Sequence, residues 1–229
     1  MGRAVIVRSA ERGSTVAGWL DSRHSFSYRG AYDPANTHFG LLLVCNEDRL
    51  AAGAGFAEHP HRDVEVVTWV VSGRLAHADD AGHRGEARAG VVQRMSAGGG
   101  VRHSEHAVGG PAHYVQMWLR PADFGGPPAY ETVPVGPGFT ELPPLRQPDA
   151  TLHAGRLPAG AAVLLEPAAY RHLLVVAGTV QVTGAAGAGE LRLGAGDALR
   201  LTGGGPVRLD TPAGAEVIGW RMQSGLQVG

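Results

Sequence analysis

Four side chains in this sequence have the types and spacing to do chemistry together: His59, His61, His103 and Glu105. They fall in two pairs at i, i+2 spacing, within GAGFAEHPHRDVEVVTWVVSG and AGVVQRMSAGGGVRHSEH. Residues two apart on a strand point to the same face. Each pair can therefore aim at one point, and the two pairs can meet there. Three imidazoles and one carboxylate, with coordination positions left open, suit a redox-active or Lewis-acidic transition metal better than a closed structural zinc site. Glu65 also has the right parity to supply a carboxylate. His106 is one residue off parity and is expected to point away.

The elements that must position these residues read as strands. The chain is rich in turn formers, with Gly 35 and Pro 15. Apolar and β-branched runs recur roughly every 8–12 residues, as in a sandwich or barrel. Ala4–Arg8, Phe39–Cys45, Val64–Val71, Arg74–Ala78, Val91–Ser96, Val101–His106 and His113–Leu119 are expected strands. Asn46-Glu47-Asp48 reads as a turn, Asp79–Gly85 as a hairpin loop, and Trp19–Asp33 as an irregular segment covering one end of a barrel. No stretch shows capped helical periodicity.

Arg120–Pro148 holds Pro121, Pro127, Pro128, Pro134, Pro137, Pro143, Pro144 and Pro148, a composition that favours extended backbone. It divides the chain into an N-terminal unit at 1–120, a linker at 121–150 and a C-terminal unit at 151–229. The second unit repeats the first. Val70-Val71-Ser72-Gly73 is echoed by Val175-Val176-Ala177-Gly178, and Ala89–Ser96 by Ala195–Thr202. On the same offset His59, His61, His103 and Glu105 fall on Leu164, Glu166, Leu209 and Thr211. The second copy keeps the turns and loses the ligands.

Composition narrows the class. The 229-residue chain is 44% hydrophobic with net charge −1, enough for a packed core and too neutral for a general nucleic-acid face. Cys45 is the only cysteine, so no intrachain disulfide forms, and a cytoplasmic setting is expected. There is no signal-peptide core and no apolar run of spanning length, so no membrane association is expected.

Gly53, His59, His61, Glu65 and Gly73, followed by Gly90, Gly98 and His103, have the layout of the two cupin motifs. More narrowly, HPHRDVEVVTWVVSG with GVVQRMSAGGGVRHSEH resembles the pirin family, a branch of the two-domain cupins. The resemblance runs from about Trp19 through Trp118 and continues more weakly through the second half. It implies an all-β bicupin, two tandem antiparallel β-barrels of jelly-roll type. It implies one divalent transition metal in the first barrel, iron(II) foremost, with zinc, manganese, cobalt, nickel or copper as alternatives. The ligands it implies are His59, His61, His103 and Glu105. Glu105 is preferred to Glu65 because the SEH stretch is pirin-like, and Glu65 then becomes a structural acid. Asp63-Val64 stands where Gly-Phe is common in pirins, which bears on the backbone beside His61.

Bacterial pirins of this form resemble quercetin 2,3-dioxygenases, and animal pirins are nuclear transcription co-regulators. The resemblance thus implies a small aromatic substrate and O₂, cleavage of a flavonol ring with release of carbon monoxide and a depside, and Glu105 as proton acceptor. Phe39, Leu41, Leu43, Val66 and Met117 are candidate cavity walls. Gln116 shares a strand face with Trp118 and can orient a ligand, whereas Trp118 is expected to pack. His24, His38 and His113 are expected in core or surface roles as readily as at the pocket. His77 and His83 read as a strand and a loop histidine, and Arg62 and Arg102 as solvent-facing neighbours of the ligands. The rival reading is a non-enzymatic metal protein whose redox state alters a partner-binding surface; the sequence marks no such surface. A third is another cupin activity, an isomerase or a thiol dioxygenase.

Overall fold

The structure, a computed structural model, describes residues 2–28, 30 and 32–226. Arg29 and Ala31, inside the Trp19–Asp33 segment, and the last three residues of the second half lie outside the described residues. In chain order the strands are β1 (Arg3–Val7), β2 (Gly13–Ala17), β3 (Leu20–His24), β4 (Leu42–Leu50), β5 (Gly55–His61), β6 (Glu65–Ser72), β7 (Arg74–Asp79), β8 (Arg84–Arg88), β9 (Val91–Ser96), β10 (Val101–Ala107) and β11 (Ala112–Leu119). They continue with β12 (Ala129–Pro134), β13 (Gly138–Leu142), β14 (Ala150–Leu157), β15 (Ala161–Leu165), β16 (Tyr170–Thr183), β17 (Leu191–Gly194), β18 (Ala198–Thr202), β19 (Val207–Thr211) and β20 (Ala215–Met222). Helix among the described residues is limited to one 3-10 turn at Ser9–Glu11.

The chain folds as an all-β bicupin. In the first half a seven-stranded sheet, β12-β9-β6-β11-β4-β3-β2, and a four-stranded sheet, β5-β10-β7-β8, share a core that includes Leu50, Val70, Leu75, Ala107 and Tyr114. Period-two patterning drives this packing. On β10, Val101, His103, Glu105 and Ala107 are buried while Arg102 is exposed. In the second half the long β16 serves both sheets, pairing β18 and β20 with its first part and β17 and β19 with its last. The repeated turn glycines do the same work in both copies. Gly73 (φ 76°) and Gly178 (φ 80°) are both left-handed, and a Cβ on either would lie within 2.3 Å of a backbone carbonyl, Pro111 O or Gly214 O.

The large sheets of the two halves meet through one apolar cluster. Trp69, Val115, Met117 and Leu119 come from one side, and Leu152, Leu174, Ile218 and Trp220 from the other. Trp69 Nε1–H donates to Glu216 Oε1 at 2.6 Å across the joint. The chain also crosses it. β1 pairs with β18, so the first residues lie in the second half's sheet. The Pro-rich segment is not a bare spacer: β12 adds an edge to β9 and β13 adds an edge to β14. Pro134 closes β12 at that edge, where a missing N–H costs no ladder bond.

Three other expectations change. Asn46-Glu47-Asp48 lies in the middle of β4 rather than in a turn, because each polar side chain is buried with partners: Asn46 with His24, Glu47 with Arg12 and His113, Asp48 with Ser22. The Trp19–Asp33 segment begins as the regular strand β3, paired on both sides. In the second half Leu209 pairs with Val163 rather than Leu164, and Leu164 is exposed, so the structural offset at β15 is one residue shorter.

Candidate metal centre

β5 and β10 run antiparallel with His61 opposite Val101 and His59 opposite His103. A register shift between His103 and Glu105 then sets Glu105 opposite Phe56. Gly55 makes this close approach possible, since a Cβ there would lie 2.1 Å from Glu105 O. The left-handed position after Arg62, where the missing glycine bore on His61, is occupied by Asp63 with φ 51°. Aspartate tolerates that conformation, and here Oδ1 also accepts Gly125 N–H at 2.6 Å.

This ladder brings His59, His61 and His103 together: His59 Nε2 lies 3.1 Å from both His61 Nε2 and His103 Nε2. The Nδ1 atoms decide where the protons are. His59 Nδ1 lies 2.8 Å from Ala57 O, a pure acceptor, so the proton sits on Nδ1 and Nε2 bears a lone pair. His103 Nδ1 lies 3.2 Å from His77 Nδ1, and His77 Nε2 lies 3.1 Å from Asp79 Oδ2. With His77 donating from Nε2 to the carboxylate and accepting at Nδ1, His103 carries its proton on Nδ1 as well. The Nε2 lone pairs of His59 and His103 therefore face each other at 3.1 Å with no proton between them. Burial first, then the neighbouring rings, push His61 down to about 4 and His103 down to about 3, which resists filling the gap with a proton. A cation fits. With metal–nitrogen bonds of about 2.0–2.1 Å, adjacent nitrogens of one coordination shell lie about 3 Å apart.

Glu105 is buried on the same face, and both its oxygens are engaged: Oε1 accepts Gln93 Nε2–H at 2.6 Å and Oε2 accepts Gln116 Nε2–H at 2.7 Å. Its carboxylate groups with His103 and His77 within 4.8 Å, whereas His59, His61 and His103 form a separate grouping. Glu65 is buried elsewhere and accepts Arg146 N–H at 3.0 Å, tying down the segment that follows β13. Burial raises its pKa against the hydrogen bonds from Ser96, Arg146 and Leu145. Gln116 also accepts Trp118 Nε1–H at 3.1 Å, and the Trp118 ring stands edge-on to His61 at 4.8 Å. Trp118 thus packs, as expected, and packs on a candidate ligand.

A cleft of about 430 Å³ opens beside these groups, within the roughly 300–1,000 Å³ of small-molecule sites. His59, Glu105 and Gln116 reach it, with Trp19, Tyr28, Phe56 and Trp118 as walls and Asn46 and Asp48 as polar groups. The expected walls are elsewhere. Phe39, Leu41 and Met117 pack in or against the core between the halves, Val66 sits in a cluster with Met95, and Leu43 is half-buried outside the cleft. His24 is buried with Thr15 and Asn46, His113 pairs with Glu47 at 2.9 Å, and His38 contacts Thr37. His106 is half-buried on the opposite face of β10. Arg62 and Arg102 are exposed and pair with Asp63 and Glu58.

Gln93 and Tyr130 were not singled out from the sequence, and His77, read there as a strand histidine, does lie on a strand but also contacts His103. His77 and Asp79 stand at the same i, i+2 spacing that singled out the other pairs. Among the described residues of the second half, the interior of the sheets is filled by Leu165, Val180, Leu193, Val207 and Leu209. No described helix is long and apolar enough to cross a membrane.

The pirin family model matches residues 6–119. A putative quercetin 2,3-dioxygenase of Mycobacterium tuberculosis is 42% identical over 238 residues, covering 96% of each chain. The quercetin 2,3-dioxygenase of Escherichia coli is 43% identical over 126 residues, 54% of each chain. Among solved structures, the Escherichia coli bacterial pirin YhhW in complex with nickel(II) superposes with a TM-score of 0.87 at 30% identity, covering 97% of this chain and 100% of that one.

Proposed function

The chain belongs to the pirin family, and from that premise we propose that it is a metal-dependent dioxygenase that cleaves a flavonol such as quercetin with O₂. The relatives named quercetin 2,3-dioxygenase and the nickel complex of a bacterial pirin support the reading. The observation that carries it is the pair of facing lone pairs on His59 and His103, 3.1 Å apart beside an aromatic-walled cleft. In this reading residues 1–120 are the metal-binding cupin, 121–150 the connecting segment and 151–229 a metal-free cupin.

His59, His61 and His103 hold one divalent metal, iron(II) foremost, and Glu105 completes the set. The metal supplies Lewis acidity and one-electron chemistry at the inner end of the cleft. Trp19, Tyr28, Phe56 and Trp118 sandwich a flat ring system and exclude water. On β11 Trp118 and Gln116 line the cleft. Asn46 and Asp48 sit opposite Gln116 and Tyr114 and bind the hydroxyls of the distal ring. Glu105, its two oxygens aimed by Gln93 and Gln116, accepts the proton of the substrate's enolic hydroxyl.

The test is anaerobic loading of the purified protein with Fe(II), Mn(II), Co(II), Ni(II) or Cu(II), then quercetin and oxygen. O₂ uptake matched to flavonol loss with at least one metal is expected. No uptake with any of them would overturn the dioxygenase and leave a non-enzymatic metal protein. Metal analysis of His59→Ala and His103→Ala runs beside it, and full metal retention in both would overturn the site.

A further inference from the structure

Two buried residues outside the proposed ligand set meet it from behind. His77 and Asp79 lie on the inner face of β7, next to β10, with His103 opposite Asp79 in the ladder. Neither side chain is exposed. The chain of contacts runs Asp79 Oδ2 to His77 Nε2 at 3.1 Å, then His77 Nδ1 to His103 Nδ1 at 3.2 Å. The carboxylate is itself held. His83 N–H donates to Asp79 Oδ1 at 2.8 Å, and hydrogen bonds from His77 and His83 lower the Asp79 pKa against the effect of burial. The His77 ring is clamped flat by Tyr130, stacked at 4.2 Å and 11°. Tyr130 also donates its hydroxyl to Gln93 Oε1 at 3.1 Å, which turns the Gln93 amide N–H toward Glu105.

A nitrogen facing another nitrogen is satisfied only when one carries the proton and the other does not. Which one does is fixed at the far end, where Asp79 can only accept. We propose that Asp79 and His77 act as a positioning relay: they lock His103 in the Nδ1–H tautomer and so keep its Nε2 lone pair directed at the point shared with His59 and His61. Neither residue belongs to the grouping of His59, His61 and His103, and neither lines the cleft. The proposal rests on the reading of the three histidines as a metal centre. It extends that reading to a carboxylate–imidazole–imidazole chain, one ring longer than the carboxylate–histidine pairing common at metal sites.

Asp79→Asn tests it with the shape preserved. The asparagine carbonyl can still accept His83 N–H, but its amide donates to His77 Nε2. His77 must then carry its proton on Nδ1, and His103 must accept there and move its own proton to Nε2, where it blocks the metal. Nitrogen-15 NMR of the histidine rings in metal-free protein reads the tautomer, and competitive titration with Co(II) or Ni(II) against a chelating indicator reads affinity. Expected are the Nδ1–H form of His103 in wild type, the Nε2–H form in Asp79→Asn, and a metal affinity lower by roughly 10–100-fold. His77→Gln keeps an acceptor for His103 Nδ1–H and should bind within about threefold of wild type, whereas His77→Leu should lose about tenfold or more. Thermal unfolding of each metal-free variant separates lost structure from lost orientation, and should Asp79→Asn not fold, the His77→Gln and His77→Leu pair decides. An unchanged His103 tautomer in folded Asp79→Asn, or wild-type affinity in both Asp79→Asn and His77→Leu, overturns the relay. Failure of the wild-type protein to take up either metal sinks the metal-centre reading instead, and the tautomer spectra alone then decide whether the relay exists.

Discussion

Replacing Glu47 by glutamine should remove a pH-dependent share of the stability, and its size follows from the partners of that carboxylate. Glu47 lies in mid-β4 with its side chain only 5% exposed. Oε2 accepts from Arg12 Nη1 at 3.1 Å, and Oε1 from Arg49 Nη2 at 2.7 Å and His113 Nε2 at 2.9 Å. Burial alone would raise its pKa; the His113 hydrogen bond and the two arginines overcome burial and hold it at about 2 instead of 4.5. A folded-state pKa below the unfolded one stabilises the fold above the unfolded value, and the gain is lost as pH falls toward the folded value. The difference corresponds to about 3 kcal/mol, fully present at pH 7, with about 2 kcal/mol of it gone by pH 3. Urea unfolding of wild type and Glu47→Gln at a series of pH values measures it. The wild-type advantage should be constant from pH 7 to about 5.5 and shrink steadily below pH 4.5. An advantage that stays constant from pH 7 to pH 3 would refute the reasoning, because the loss would then lie in shape or packing and not in the ionised carboxylate.

Three further outcomes follow from single contacts. Gln116→Leu removes one of the two donors to Glu105 and should lower kcat/KM for a flavonol by roughly 10–100-fold while metal content is retained, as judged by steady-state kinetics and metal analysis. Asp63→Val forces a β-branched residue to φ 51° and releases Gly125 N–H; it should cost about 2 kcal/mol in urea unfolding, whereas Asp63→Gly, free of the backbone strain, should cost less. Trp69→Phe keeps an aromatic ring in the joint between the halves but leaves Glu216 Oε1 without its indole donor, and should cost about 1–3 kcal/mol by the same measurement.

The strand parity of the sequence was enough to identify the three histidines that meet and to exclude His106, because alternation on β5 and β10 is a local property of extended backbone. The repeated turn glycines made the duplication visible for the same reason: Gly73 and Gly178 are required by local conformation. What local rules could not supply was the identity of partners from distant strands. Asn46-Glu47-Asp48 has the composition of a turn, and only burial beside Arg12, Ser22, His24 and His113 keeps it in β4. The cleft walls were misplaced because the apolar residues of β4, β6 and β11 on one face turn toward the second half, leaving the cleft to Trp19 before β3, Tyr28 after it, Phe56 of β5 and Trp118 from the other face of β11. Glu65 and Glu105 share a parity, and the segment ending at Arg146 claims Glu65. The sequence by itself thus determined the all-β architecture, its repetition and the donor types at the site, since these depend on spacings of two residues and on residues able to turn. The tertiary structure alone decided that Glu105 lies beside His103 and that His77 and Asp79 stand behind that ring, because each of those depends on which strand lies beside which.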